Sequence, residues 1–275
     1  MNRHITCALS IGLLLLATAC NHEPPNQALS ATNTSATQDI TVADQLYDQR
    51  EDLMQLRRGI VSLRQALTKE PANYDAAWKL SKFNYYLATH TDDSKERDNA
   101  FQAGIAAGKT AVQLQNEKPD GHFWLGANYG GAAERSTIQG LATVDDIRNE
   151  METVLRLDEG YQDGSAYMVL GLVHLNAPAI VGGDPKKAVA DMEKGLRFGE
   201  PNAFLHLHLA EAYKKVGRNN DARRGLKKIL DLTPDQSYLP EYKEASADAQ
   251  KLLDQIDMPV DRQSGSMSTN VDPFS

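Results

Sequence analysis

From Val42 onward, apolar residues return at steps of three and four along almost the whole chain, and no run alternates apolar with polar as a strand would. Leu46, Leu53, Leu56, Ile60, Leu63 and Leu67 predict one long amphipathic helix, or two shorter ones, ending before Pro71. Further on the period acquires a fixed order. Leu209, Ala210 and Tyr213 stand at the spacing Leu-small-x-x-Tyr, and Gly217, Ala222, Leu226 and Pro234 follow. This predicts a helical hairpin over Ala203 to Pro234. Ala210 and Ala222 let two backbones approach, while Leu209, Tyr213 and Leu226 fill the groove between them. Gly217 releases the turn and Pro234 stops the second helix.

The same order recurs upstream. Trp78, Leu80, Ser81 and Tyr85 begin one unit; after a cap at Asp92 to Ser94, its second helix carries Ala100, Ala103, Gly104, Ala107, Gly108 and Ala111. Trp124, Leu125, Gly126 and Tyr129 begin the next, with a first helix from Pro119 to about Arg135. Ser136 to Thr143 reads as an interruption at Gly140, after which Ile147, Met151, Val154 and Leu155 form the return. Leu170, Gly171 and His174 begin a fourth unit. Its turn is enlarged, Asn176 to Gly183, before an Asp184 cap and Pro185 in the first turn. These are tetratricopeptide (TPR) spacings. One such hairpin cannot bury its own apolar face, so hairpins must stack. The expected fold is therefore all-α: a TPR-like solenoid of about four to five helix pairs over residues 42–256, with a last helix from Leu239 to Ile256 covering the apolar end. Residues 257–275, rich in Ser, Asp and Pro, are expected to be a disordered tail.

The amino terminus follows other rules. Arg3 precedes an apolar run from Ile11 to Ala17, too short to span a bilayer, and Ala17, Thr18 and Ala19 lead directly to Cys20. This resembles a bacterial lipoprotein signal, with residues 1–19 removed and Cys20 acylated, although such signals more often carry Leu where Ala17 stands. A plain secretory signal with an incidental Cys is the alternative. Cys7 would leave with the leader, so no disulfide could form and packing alone must hold the core. Residues 20–41, rich in Asn, Thr, Ser, Gln and Pro, read as a flexible tether. The implied location is the cell envelope, facing the periplasm, at the outer membrane before the inner; by the same resemblance Asn21 after the Cys, in place of Asp, leaves outer-membrane sorting open.

Three stretches together resemble a known family. They are His122-Phe-Trp-Leu-Gly-Ala-Asn-Tyr-Gly130, the turn Ala177-Pro-Ala-Ile-Val-Gly-Gly-Asp184, and Leu232-Thr-Pro-Asp-Gln-Ser-Tyr-Leu-Pro-Glu-Tyr242. The chain is similar, over about residues 72–256, to the T component (TatT-like) of tripartite ATP-independent periplasmic (TRAP) transporters. The resemblance implies a periplasmic TPR lipoprotein working beside a solute-binding protein. It also allows a homo-oligomer with a central channel open to a small organic or apolar ligand.

No catalytic chemistry stands out. His206 and His208 are two apart on a helix and point to different sides, whereas a helical metal pair needs three or four; both read as surface or groove residues. His174 takes the place of the repeat Tyr and reads as a satisfied core group. Glu134 and Arg135 suggest an ion pair before they suggest an acid–base site. Gly182-Gly183-Asp184-Pro185-Lys186-Lys187 lacks phosphate-loop spacing. No nucleophile motif is found, so the chain is read as a binding protein without a cofactor or metal, and an enzyme remains the remote alternative. The net charge of −8, one unit more negative once Arg3 departs with the leader, argues against nucleic acid.

What remains is a surface. First helices of stacked pairs line the concave side. Aligning the units places there Trp78, Lys82, Tyr85 and Tyr86, then Phe123, then Met168 and Leu172, then Phe204, Leu207, Glu211, Lys214 and Lys215. Aromatic anchors with a few charges suit a peptide segment or an organic ligand. Trp78, Phe123, Met168 and Phe204 would serve equally well as core.

Overall fold

A computed structural model describes residues 35–133 and 137–257, side chains excepted at 137–142. The leader, Cys20, the tether up to residue 34, Glu134 and Arg135, and the tail beyond Asp257 lie outside the described residues. Eleven α-helices are described, and no strand is present among those residues. They are α1 (Ala36–Tyr47), α2 (Leu53–Lys69), α3 (Tyr74–His90), α4 (Ser94–Leu114), α5 (Pro119–Ala133), α6 (Thr137–Leu157), α7 (Tyr161–Asn176), α8 (Pro185–Gly195), α9 (Ala203–Lys215), α10 (Asn219–Leu230) and α11 (Leu239–Asp257). Each odd-numbered helix up to α9 packs on its successor, giving five hairpins, and α11 closes the series on α9 and α10. None of the described helices is long and apolar enough to cross a membrane.

The Leu-small pairs explain why the hairpins close. The small residue faces the returning helix of its own hairpin, and its size matches what it meets. A Cβ on Gly126 would lie 2.4 Å from Met151 Cε, and one on Gly171 would lie 2.6 Å from Met192 Cγ. In the fifth hairpin the returning helix presents Gly225, and there the small residue is Ala210, whose Cβ lies 3.8 Å from a Cβ built on Gly225. Met151, Met192 and Leu226 are fully buried at these crossings. Side-chain caps start the helices: Asp52, Asn73, Asp93, Asp184 and Asn202 each accept a backbone N–H of the first turn.

Adjacent hairpins are joined by apolar contact and by a few buried polar groups. The Tyr74 hydroxyl donates to Asp120 Oδ2 at 3.2 Å and the Tyr161 hydroxyl to Asp120 Oδ1 at 2.9 Å, so one carboxylate ties the starts of α3, α5 and α7. Asn128 on α5 is fully buried; its Nδ2 donates to Ser81 O at 3.1 Å and Trp124 O at 2.7 Å. Ser81 Oγ in turn donates to Gly104 O at 2.8 Å. Gly104 is the one residue that fits opposite Asn128, because a Cβ there would lie 2.1 Å from Asn128 Oδ1.

Two boundaries differ from expectation. Helix α1 starts at Ala36, six residues before position 42. Ser35 Oγ accepts Gln38 N at 3.2 Å, Ala36 and Asp39 are buried, and Asp39 pairs with Lys69 at 2.6 Å. Its first turn, Ala36-Thr37-Gln38, has the composition of the tether, which hides the start. The expected break from Ser136 to Thr143 gives way to helix from Thr137, since a single Gly140 costs a helix interior only about 1 kcal/mol.

Replacing Gly104 with Ala is expected to lower unfolding stability by about 1–3 kcal/mol, the cost of overfilling a packed site. In an Asn128→Ala background the extra cost should fall to a few tenths, because the colliding atoms are gone. Urea unfolding of the four proteins in this cycle checks both values.

Candidate functional site

The two ends of the described region meet through side chains of the α1–α2 turn and of α11. Arg50, in the turn between α1 and α2, is only 3% exposed. Its Nε donates to Glu241 Oε1 at 2.9 Å and its Nη2 to Glu241 Oε2 at 2.6 Å, a two-pronged pair linking positions 191 residues apart. Nη2 also donates to Ser237 O at 2.5 Å and Nη1 to Tyr47 O at 3.2 Å. Glu51 takes Lys243 at 3.2 Å, and His90 stands 3.6 Å from Glu244. The first turns of α11, with Ser237 just before them, are thereby strapped to the first two hairpins.

Beside the strap runs an aromatic wall contributed by first helices. Tyr86 stacks on His90 at 3.8 Å and meets Tyr47 edge-on at 5.9 Å; Tyr47 stacks on Phe83 at 4.5 Å. Trp124 packs against Tyr85 at 5.7 Å and Phe123 at 5.1 Å, and Phe123 reaches Tyr161 at 5.3 Å. Lys82 lies between these groups. Its Nζ sits 4.3 Å from the Tyr47 ring centroid and 5.7 Å from that of Trp124. Burial first, then the Arg50 charge, pushes the Lys82 ammonium down to about 8. Burial first, then Glu241, pushes the Tyr86 hydroxyl up to about 12. At His90 burial works downward, but the Glu244 carboxylate and Tyr86 O outweigh it and hold the imidazole above its ordinary value.

The twelve residues expected on the concave side are distributed unevenly. Tyr86, Phe123 and Leu207 are core. Trp78, Lys82, Tyr85, Met168, Leu172, Phe204 and Glu211 are half-buried, and Lys214 and Lys215 are exposed. Trp78 Nε1 donates to Asp75 Oδ1 at 3.2 Å, while Met168 and Leu172 pack against the core cluster that α8 and α9 share, which includes Met192 and Leu205. Phe204 stacks on His208 at 6.0 Å, His208 bonds Glu211 at 2.8 Å, and Lys214 donates to Gln255 at 3.0 Å. So the structure groups Lys82, Tyr85 and Tyr86 at one end and Phe204, Glu211, Lys214 and Lys215 on α9 at the other.

His206 corrects its reading as a surface or groove residue. It is buried, with Nε2 bonded to Glu200 O at 2.8 Å and its pKa lowered by that burial. The cause is α9 itself, which α7, α8, α10 and α11 all contact, leaving it little solvent-facing surface. His174 is half-buried and bonded to Asp191 at 2.9 Å. The enlarged turn is ordered: Asp184 N donates to His174 O at 2.7 Å, Arg148 Nη2 donates to Val181 O at 2.7 Å, and Ile180 at its tip is 91% exposed. Sequence reasoning missed Tyr47, Arg50, Trp124 and Glu241. Trp124 had a local signal, its place beside Phe123 in a repeat helix. Arg50 and Glu241 had none, because their pairing depends on where the whole array brings its ends.

The sequence profile of a family described as TRAP transporter T-component matches residues 76–257. No curated protein matches the chain. Among solved structures, a thermophilic TPR protein of Thermus thermophilus superposes with a TM-score of 0.60 at 19% identity, covering 79% of this chain and 100% of its own. Pseudomonas aeruginosa PilF superposes with a TM-score of 0.52 at 15% identity, covering 85% of this chain and 99% of its own. At these identities the likeness concerns the fold.

A raised His90 favours the folded pairing below its unfolded value of about 6.5, and that contribution is lost as pH rises through the higher folded value. The strap should therefore be tightest in mildly acidic solution. By NMR titration, His90 is expected to titrate above about 6.5 and to move down in Glu244→Gln. Arg50→Ala should move it down as well, because losing the anchor on Glu241 frees the segment that carries Glu244.

Proposed function

Because the chain belongs to the TRAP transporter T-component family, we propose that it is a lipid-anchored TPR scaffold of the periplasmic face, docking a protein partner, the solute-binding component of such a transport system. The observation that carries this reading is the family match spread over the repeat array itself, residues 76–257, rather than over an appended domain. Extended concave faces are how stacked helix pairs bind other proteins. Here the strap covers the face near α1 and α3. On α9, Phe204, Glu211, Lys214 and Lys215 keep partial or full exposure, an aromatic anchor beside charges of both signs. Acylation of Cys20 would supply the membrane attachment, since several acyl chains anchor stably where one does not. The protein so read recognises its partner without transforming it.

Affinity capture of the full chain from detergent-solubilised envelope, after mild crosslinking, is expected to recover one dominant protein, a TRAP-type solute receptor. A Phe204→Ala, Lys215→Glu double variant should weaken that complex by about tenfold or more, as removal of an interface anchor does. Recovery of no dominant protein would overturn the reading.

A further inference from the structure

The outer face of α2 is set apart from the rest of the chain by its charge. Among the described helices α2 alone carries no Asp or Glu, yet it holds Arg57, Arg58, Arg64 and Lys69 in a chain whose net charge is −8. Leu56, Ile60, Leu63 and Ala66 are buried on its inner side. On the opposite side Met54 is 66% exposed and Val61 is 50% exposed. Arg57, Arg58 and Arg64 flank them at helical steps of three and four, and all three are exposed. Two of these cations keep their charge free. Arg58 donates to the neutral Gln55 Oε1 at 2.9 Å, and Arg64 has no carboxylate partner among the described residues. Arg57 shares its charge with Glu96 at 2.7 Å, and Lys69 with Asp39 at 2.6 Å. The other cation-rich helix, α10, lacks this freedom. Around it Asp221 takes Arg218 and Arg224, Asp257 takes Arg223, and Glu200 takes Lys228.

We propose that the outer face of α2 rests on an anionic phospholipid surface and so sets how the scaffold lies on its membrane. The proposal rests on the reading of a chain tethered through Cys20. Fifteen residues, 20–34, precede the cap of α1, and fully extended they reach about 50 Å. The hairpin that follows directly is α1 with α2, so the tether keeps this face within reach of the bilayer. The chemistry of the face matches a lipid surface. Guanidinium groups pair with phosphates in two-pronged fashion, and their aliphatic stems can lie along apolar surface while the charge stays in water. Met54 and Val61, framed by those stems, are placed to dip between head groups. Each such cation near an anionic membrane multiplies partition by about fivefold. The remainder of the chain is acidic, so the same surface repels its other sides. A second copy is a poor occupant, because a two-fold contact here would set Arg58 and Arg64 against their own copies.

The test uses the chain from Asn21 to Ser275, without an acyl group, so that its outcome does not depend on the anchor. The probes are vesicles of phosphatidylcholine alone and of phosphatidylcholine with phosphatidylglycerol in equal parts. Sedimentation is expected to show partition about tenfold or more higher on the anionic vesicles, lost between about 0.1 M and about 1 M salt as screening shortens. Arg58→Glu with Arg64→Glu should abolish the preference; both side chains are exposed, so the variant should keep its unfolding temperature. Met54→Ser with Val61→Ser should lower partition on both vesicles and leave the preference for the anionic one. A fluorophore on Gln65→Cys, on the same face, should be quenched by brominated lipid, and one on Lys251→Cys of α11 should not. Equal binding to both vesicles, a preference that survives the double Arg variant, quenching at 251 as strong as at 65, or a dimer in solution that the Arg variant dissociates would each overturn the assignment. Flotation of the leader-processed protein with phosphatidylcholine vesicles tests the anchor separately. Its failure would overturn the acyl anchor and leave the lipid-facing role of α2 standing.

Discussion

Everything in this fold depends on how closely two helices of a hairpin can approach. In the second to fifth hairpins the distance is set by one residue per pair, Ser81, Gly126, Gly171 or Ala210, placed directly after a leucine. Where the returning helix brings a methionine, the first helix has glycine; where it brings glycine, the first helix has alanine. The small residue is in each case matched to what the returning helix puts opposite it. Protein interiors resist both voids and crowding, so this exchange holds the hairpins in similar geometry. Repeated geometry then lets successive pairs stack on a common side.

The strap gathers aromatic rings and charged groups, with Arg50 buried, Lys82 half-buried and His90 exposed. Arg50, Lys82 and His90 come from the first two hairpins; Glu241 and Glu244 come from the last helix. Two of the three cations have a carboxylate partner from the far end of the described region, and Lys82 does not. Lys82 is held instead against the rings of Tyr47 and Trp124.

Much of the fold was legible in the sequence. The Leu-small pair with an aromatic or His three to four residues later located α3, α5, α7 and α9, the Asp184-Pro185 start located α8, and Leu239 opens α11 as expected. Local physics is strong at such places, because a cap or a proline acts within a turn. Boundaries failed where composition crossed them, at Ala36 and at Thr137. The candidate site was half visible. Lys82, Tyr85 and Tyr86 follow from repeat alignment, whereas Arg50 and Glu241 do not. His206 was misread because burial around α9 comes from four neighbouring helices, which periodicity along one helix does not report.

The Arg50–Glu241 pair has a consequence for how the molecule comes apart. Linear arrays of repeats ordinarily fray from their termini, because the outermost unit has a neighbour on one side only. Here the first turn and the last helix hold each other, so neither terminus is free to unzip alone. Loosening must begin by releasing both together or by opening an interior seam, which makes a chain of nearest-neighbour contacts behave as one cooperative body.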